Sequence, residues 1–339
     1  MRNLSMDALC EKIGNAVSKQ AISKYEKGES LPGSQILILL SQALDVKPDY
    51  FFRESQFAIS NIEFRKKAKM GVKEVEAIKE EIRDIIERYL EIEDVWGCVP
   101  SFANPVKEML VVSDDDVCEV VKRLKEAWNI GEDGILSVTD LLESKNIKVV
   151  EIKADSSFDG LSGYVNNDEN MPFVVVNKSF DVERLRFTGL HELGHLVMNL
   201  PEEMEKKDKE RLCNLFASEM LISRDTFVDV LGERRSDISL QELKVLQAVY
   251  GISVDALMFK AKTVGVISES KYTSFCIRKN KSLAFKDAVE RSSYRGVEES
   301  SRFDRLVYRA LASDMISCSK AAVLLNEPME EVKNKLELV

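Results

Sequence analysis

The stretch RLRFTGLHELGHLVMNL, residues 184–200, holds both histidines of a 339-residue chain. His191 and His195 stand four apart, which in an α-helix puts both imidazoles on one face about one turn apart. Two imidazoles at that spacing can hold one metal ion from the same side, and Glu192 lies one residue on, where it reaches a metal-bound water rather than the metal. For the chain's two histidines to fall this way by chance is on the order of one in a thousand. The reading as a zinc site therefore outweighs that of an amphipathic helix with two satisfied histidines.

A catalytic zinc takes three protein ligands and keeps one position open. With no histidine left, the third ligand must be a carboxylate or a thiolate. The segment KKDKERLCNLFASEMLI, residues 206–222, reads as a second helix and offers Glu210 and Glu219. Asn214, one turn past Glu210, is placed to hydrogen-bond a ligand histidine and fix its tautomer. Cys213 reads as an apolar helix residue beside Leu215 and Phe216.

The block FTGLHELGHLVMNL, followed by E-R-L-C-N-L-F-A-S-E-M-L-I, resembles the ImmA/IrrE family of zinc metallopeptidases over roughly residues 105–270. The resemblance implies that Glu210 completes the site and that Glu219 has a structural part. It implies one zinc per chain in a thermolysin-like (zincin) domain, and peptide hydrolysis with Glu192 as general base. Such enzymes stabilise the tetrahedral intermediate with a histidine or tyrosine. Tyr164, in the loop GLSGYVNN, is the candidate here. The run Phe173–Asn177 reads as a strand able to pair with an extended substrate along its edge.

At the N-terminus, Ser5 can cap a helix bearing Leu9, Cys10 and Ile13, and Ser18 a second one bearing Ala21, Ile22 and Tyr25. Gly14-Asn15 separates them, giving a helix-turn-helix pattern. SKQAISKYEKGESLP with LLSQALDVKPDYFF resembles the DNA-binding domain of Cro and the phage repressors. That resemblance implies DNA contacts from Lys19, Gln20, Ser23 and Lys24 at the start of the second helix. Such a domain carries a further helix at its start, and here four residues precede Ser5. The face of Leu9, Ile13 and Ile22 is therefore expected to lack cover. Seven basic and seven acidic residues in 1–54 leave no net charge, so tight binding would need dimerisation or the basic cluster Arg65, Lys66, Lys67 and Lys69.

The net charge of −10 argues against wrapping nucleic acid over the whole surface. Six scattered cysteines, no apolar leader and no bilayer-length run suggest reduced thiols and a cytoplasmic location. The expected fold class is α+β, mostly helical. It comprises a helix-turn-helix domain (1–55), a basic and helical connector (56–103), a metallopeptidase domain with a small sheet (104–270) and a helical tail (271–339). KVVEI and PFVVVN read as its strands. The tail has a second helix-turn-helix look at 317–326, better read as a packing pair than as a DNA contact. The function expected is a DNA-binding regulator fused to a zinc endopeptidase, a possible homodimer, whose protein substrate is implied to be a repressor-type transcription factor of mobile-element or stress genes. The alternative is a non-proteolytic regulator or toxin–antitoxin component using the zinc fold as sensor or scaffold.

Overall fold

The computed structural model describes residues 4–44, 46, 48, 51, 71–97, 101–165, 168 and 170–336. The basic cluster Arg65–Lys69 lies outside them. Three short helices come first: α1 (Met6–Lys12), α2 (Lys19–Glu26) and α3 (Ser34–Leu44). Ser5 and Ser18 cap α1 and α2, each hydroxyl accepting the backbone N–H three residues on. Between them Gly14 (φ 67°) and Asn15 (φ 56°) take left-handed backbone, which glycine and asparagine tolerate best. The apolar face expected to lack cover does not. Leu9, Cys10, Ile13 and Ile22 are buried together with Leu40 and Ala43 of α3, whose apolar run is long enough to roof both preceding helices.

Next come α4 (Val72–Val95), α5 (Asp114–Trp128), α6 (Val138–Ser144), β1 (Lys148–Ile152), β2 (Gly160–Tyr164) and β3 (Pro172–Asn177). The sheet order is β1-β3-β2, with β1 parallel and β2 antiparallel to β3. Two expectations fail here. GLSGY is a strand, hidden by two glycines that depress strand propensity. Phe173–Asn177 is the central strand, so its backbone is paired on both sides and offers no edge to a substrate.

Both sheet faces are covered, which is why PFVVVN is apolar without alternation. Val149, Val174 and Val176 face a large core shared with the surrounding helices. Val150, Ile152, Leu161, Phe173 and Val175 face Val75, Ile78, Ile82, Ile86 and Leu90 of α4. Helix α4 was expected in a connector. It forms instead the back layer of the sheet, because its apolar stripe has found an apolar face to cover.

The helix bearing the histidines, α7 (Val182–Val197), and its neighbour α8 (Lys206–Leu221) lie on the other side of the sheet. They are followed by α9 (Arg224–Leu231), α10 (Leu240–Tyr250), α11 (Val254–Thr263), α12 (Glu269–Lys281) and α13 (Leu283–Glu290). The chain closes with α14 (Arg302–Ala312), α15 (Cys318–Leu324) and α16 (Met329–Lys335). These last three bury Val307, Ala310, Leu324 and Val332 with Ile92, at the far end of α4. The tail thus packs on the same body as the sheet. Among the described residues, no helix is long and apolar enough to cross a membrane.

Candidate functional site

Asp181 caps α7 by accepting the Arg184 N–H, and the helix runs without a break through both histidines. Gly194 lets α8 approach. A Cβ there would sit 3.1 Å from a ring carbon of Phe216. That close approach brings Glu210, Cys213 and Asn214, three and four residues apart on α8, against His191 and His195.

His191 Nδ1 is 3.0 Å from Asn214 Oδ1. An amide oxygen only accepts, so Nδ1 carries the proton and Nε2 presents its lone pair. That lone pair faces His195 Nε2 at 3.1 Å, with a Glu210 carboxylate oxygen 3.3 Å from His191 Nε2 and 3.8 Å from His195 Nε2. On the far side of the second ring, Cys213 Sγ lies 3.0 Å from His195 Nδ1. Cys213 is fully buried, as its apolar reading required, yet its sulfur touches a site histidine.

Together these atoms form a donor set that could hold a cation. The ligand atoms of His191, His195 and Glu210 all lie within 4.8 Å of one another. Zinc–ligand bonds of 2.0–2.1 Å at tetrahedral angles would space neighbouring ligand atoms about 3.3 Å apart. The donor set and spacing fit zinc. Glu219, the other carboxylate on α8, is engaged elsewhere. It accepts the Arg224 backbone N–H and pairs with buried Lys260 at 2.5 Å.

Glu192 is 4% exposed, and its Oε2 accepts a hydrogen bond from Ser162 Oγ at 2.7 Å. Gly160 makes room for this meeting of β2 and α7. A Cβ there would collide with the Val175 carbonyl oxygen and a Thr188 methyl, both at 2.6 Å. Neither Ser162 nor Gly160 was picked out from the sequence. With GLSGY recognised as a strand, the alternation of Gly160, Ser162 and Tyr164 would have placed them on one face.

A cleft of about 340 Å³ opens over His191, Glu192, Glu210 and Asn214, with Arg184 and Lys206 also on its walls. A larger cavity, about 660 Å³, shares Phe187, Glu210 and Asn214 with it and is lined by Leu215, Ala256, Phe259 and Val264. Lys260 also lines this cavity, and burial holds its ammonium below the usual lysine range against the attraction of Glu219. Tyr164 is not brought into this cleft. Its hydroxyl donates to the Leu196 carbonyl at 2.9 Å, and it lines a separate hollow with Asn104, Leu196 and Asn199.

On α2, Lys19, Gln20 and Lys24 are exposed and Ser23 is half-buried. Lys19 pairs with Asp7 of α1 at 2.6 Å. Both partners are exposed, so the pair is weak and a phosphate can compete for the ammonium.

Residues 1–51 match a family model described as helix-turn-helix, and residues 142–262 match a peptidase-family model described as the IrrE N-terminal-like domain. Over 53 residues the chain is 45% identical to an uncharacterized HTH-type transcriptional regulator, y4aM, of Sinorhizobium fredii. The match takes in 16% of this chain and 36% of that relative.

Proposed function

Because the chain joins a helix-turn-helix domain to an IrrE N-terminal-like domain, we propose that it is a DNA-binding regulator carrying a zinc-dependent endopeptidase. The observation that carries the reading is the convergence of His191, His195 and Glu210, with the Glu192 carboxylate beside them in the same cleft.

In this reading His191 Nε2, His195 Nε2 and one Glu210 oxygen hold a single zinc. Bound there, zinc would acidify a water and polarise a peptide carbonyl. Asn214 fixes the His191 ring with Nε2 outward. The Glu192 carboxylate takes a proton from the attacking water and returns it to the leaving amine. Its burial excludes competing solvent and strengthens each of its interactions. The larger cavity, walled by Phe187, Leu215 and Phe259, receives an apolar side chain of the substrate next to the cleaved bond. Tyr164 has no part in this reading as donor to the tetrahedral intermediate, since its hydroxyl donates to the Leu196 carbonyl. Arg184 and Lys206 are the cationic side chains lining the cleft.

The substrate class proposed is a repressor-type transcription factor, and Gln20, Ser23 and Lys24, with Lys19 released from Asp7, would contact DNA. Cytoplasmic action fits both partners. The test combines metal analysis of the purified chain with cleavage assays on repressor-type proteins encoded nearby. About one zinc per chain and cleavage that disappears in Glu192→Gln, with the zinc retained, are the expected results. Zinc without cleavage of any such protein would favour a sensor or scaffold.

A further inference from the structure

Strand β2 and helix α7 run side by side in matched steps. Two strand residues advance about 6.7 Å and four helix residues about 6 Å, so alternate strand positions meet successive helical turns. Gly160 meets Thr188 and Glu192, Ser162 meets Glu192, and Tyr164 meets the Leu196 carbonyl. The Tyr164 hydrogen bond pins one end of this match, and at the other the missing Cβ of Gly160 lets the strand close in. Ser162 is held between them, its hydroxyl 2.7 Å from Glu192 Oε2.

A carboxylate only accepts, so the Ser162 hydroxyl is the donor. Glutamate has three rotatable side-chain bonds, and a carboxylate as buried as this one is costly without hydrogen bonds. Serine is the side chain on that strand face that both reaches Glu192 and carries a proton. Its neighbours on the face are a glycine and a tyrosine that bonds elsewhere.

We propose that Ser162 is the positioning residue for Glu192, fixing one carboxylate oxygen so that the group faces the cleft. For its kinetic consequence the proposal rests on the peptidase reading, whereas its geometric consequence does not. The donor matters twice in a turnover. It holds the carboxylate before proton uptake, and it keeps the protonated side chain within reach of the leaving nitrogen afterwards.

Crystal structures of zinc-loaded wild type, Ser162→Ala and Ser162→Thr provide the first arm. In Ser162→Ala the Glu192 carboxylate should leave its place by about 1 Å or more, a displacement large enough to matter to catalysis. His191, His195 and Glu210 should not move. In Ser162→Thr, whose hydroxyl survives on a strand-favouring side chain, the carboxylate should stay. Kinetics on a cleaved substrate are the second arm. Ser162→Ala should lose about ten-fold in kcat, the scale of one hydrogen bond to a charged group, with KM and zinc content unchanged. Ser162→Thr should recover most of that. A Glu192 that keeps its position in Ser162→Ala overturns the proposal, as does a loss that appears in KM or in zinc content. A wild type without turnover would count against the peptidase reading alone, because the crystallographic arm still decides the role of Ser162.

Discussion

In the proposed zinc site His195 Nε2 and the Glu210 carboxylate, on different helices and 3.8 Å apart, are both ligands. Each should therefore be needed for the metal. His195→Ala and Glu210→Ala are expected to leave the purified chain with well under one zinc, measured by plasma emission. Glu219→Ala should keep the zinc and lose stability instead, since it strips buried Lys260 of its partner. Normal zinc in Glu210→Ala with loss in Glu219→Ala would reverse the assignment. At this scale the sequence was most legible for His191, Glu192 and His195, because one helical period is enough to relate them. It was least legible for Ser162 and Cys213, which meet Glu192 and His195 across 30 and 18 residues of chain.

Helix α4 shows what amphipathic patterning can and cannot say at the scale of elements. The stripe of Ile78, Ile82, Ile86 and Leu90 announces a buried face, but a stripe does not name its partner. The partner is the sheet face of Val150, Leu161, Phe173 and Val175, on strands that follow by 60 residues or more. Ile82 is fully buried there. Ile82→Ala should cost about 2–5 kcal/mol, the usual range for deleting a branched side chain from a core. Urea unfolding followed by circular dichroism would check it, and an unchanged midpoint would mean that α4 does not belong to the sheet's core. The strand β2 carries the complementary lesson. Its two glycines weaken it as an isolated strand, and one of them, Gly160, is needed because backbone and helix come too close for any side chain.

At the scale of the whole molecule, the C-terminal segment is tied into the candidate site from behind. Arg186, on α7, is completely buried and pairs with Glu298 at 2.5 Å. The same carboxylate accepts the backbone N–H groups of Val138 and Thr139 at the start of α6, at 2.9 and 2.8 Å. One glutamate from the tail thus caps one helix and neutralises another. Glu298→Ala leaves a buried guanidinium without its counter-charge and should cost about 3–5 kcal/mol. A drop in melting temperature should accompany it, with zinc binding largely kept in the folded fraction. A change under about 0.5 kcal/mol, the range of ordinary surface substitutions, would show the tie to be idle.

What the sequence determined by itself is everything governed by short range: the capped helices, the pairing of His191 with His195, and the turn at Gly14-Asn15. Those follow from backbone periodicity and from side chains that bond within a few residues of themselves. Only the tertiary structure decided that Phe173–Asn177 lies in the middle of the sheet, that Tyr164 turns to Leu196, and that α3 roofs the first two helices. Strand order, edge and cover depend on which apolar faces meet across long stretches of chain. Local propensity carries no record of that, because burial is settled by the partner that arrives rather than by the face that waits.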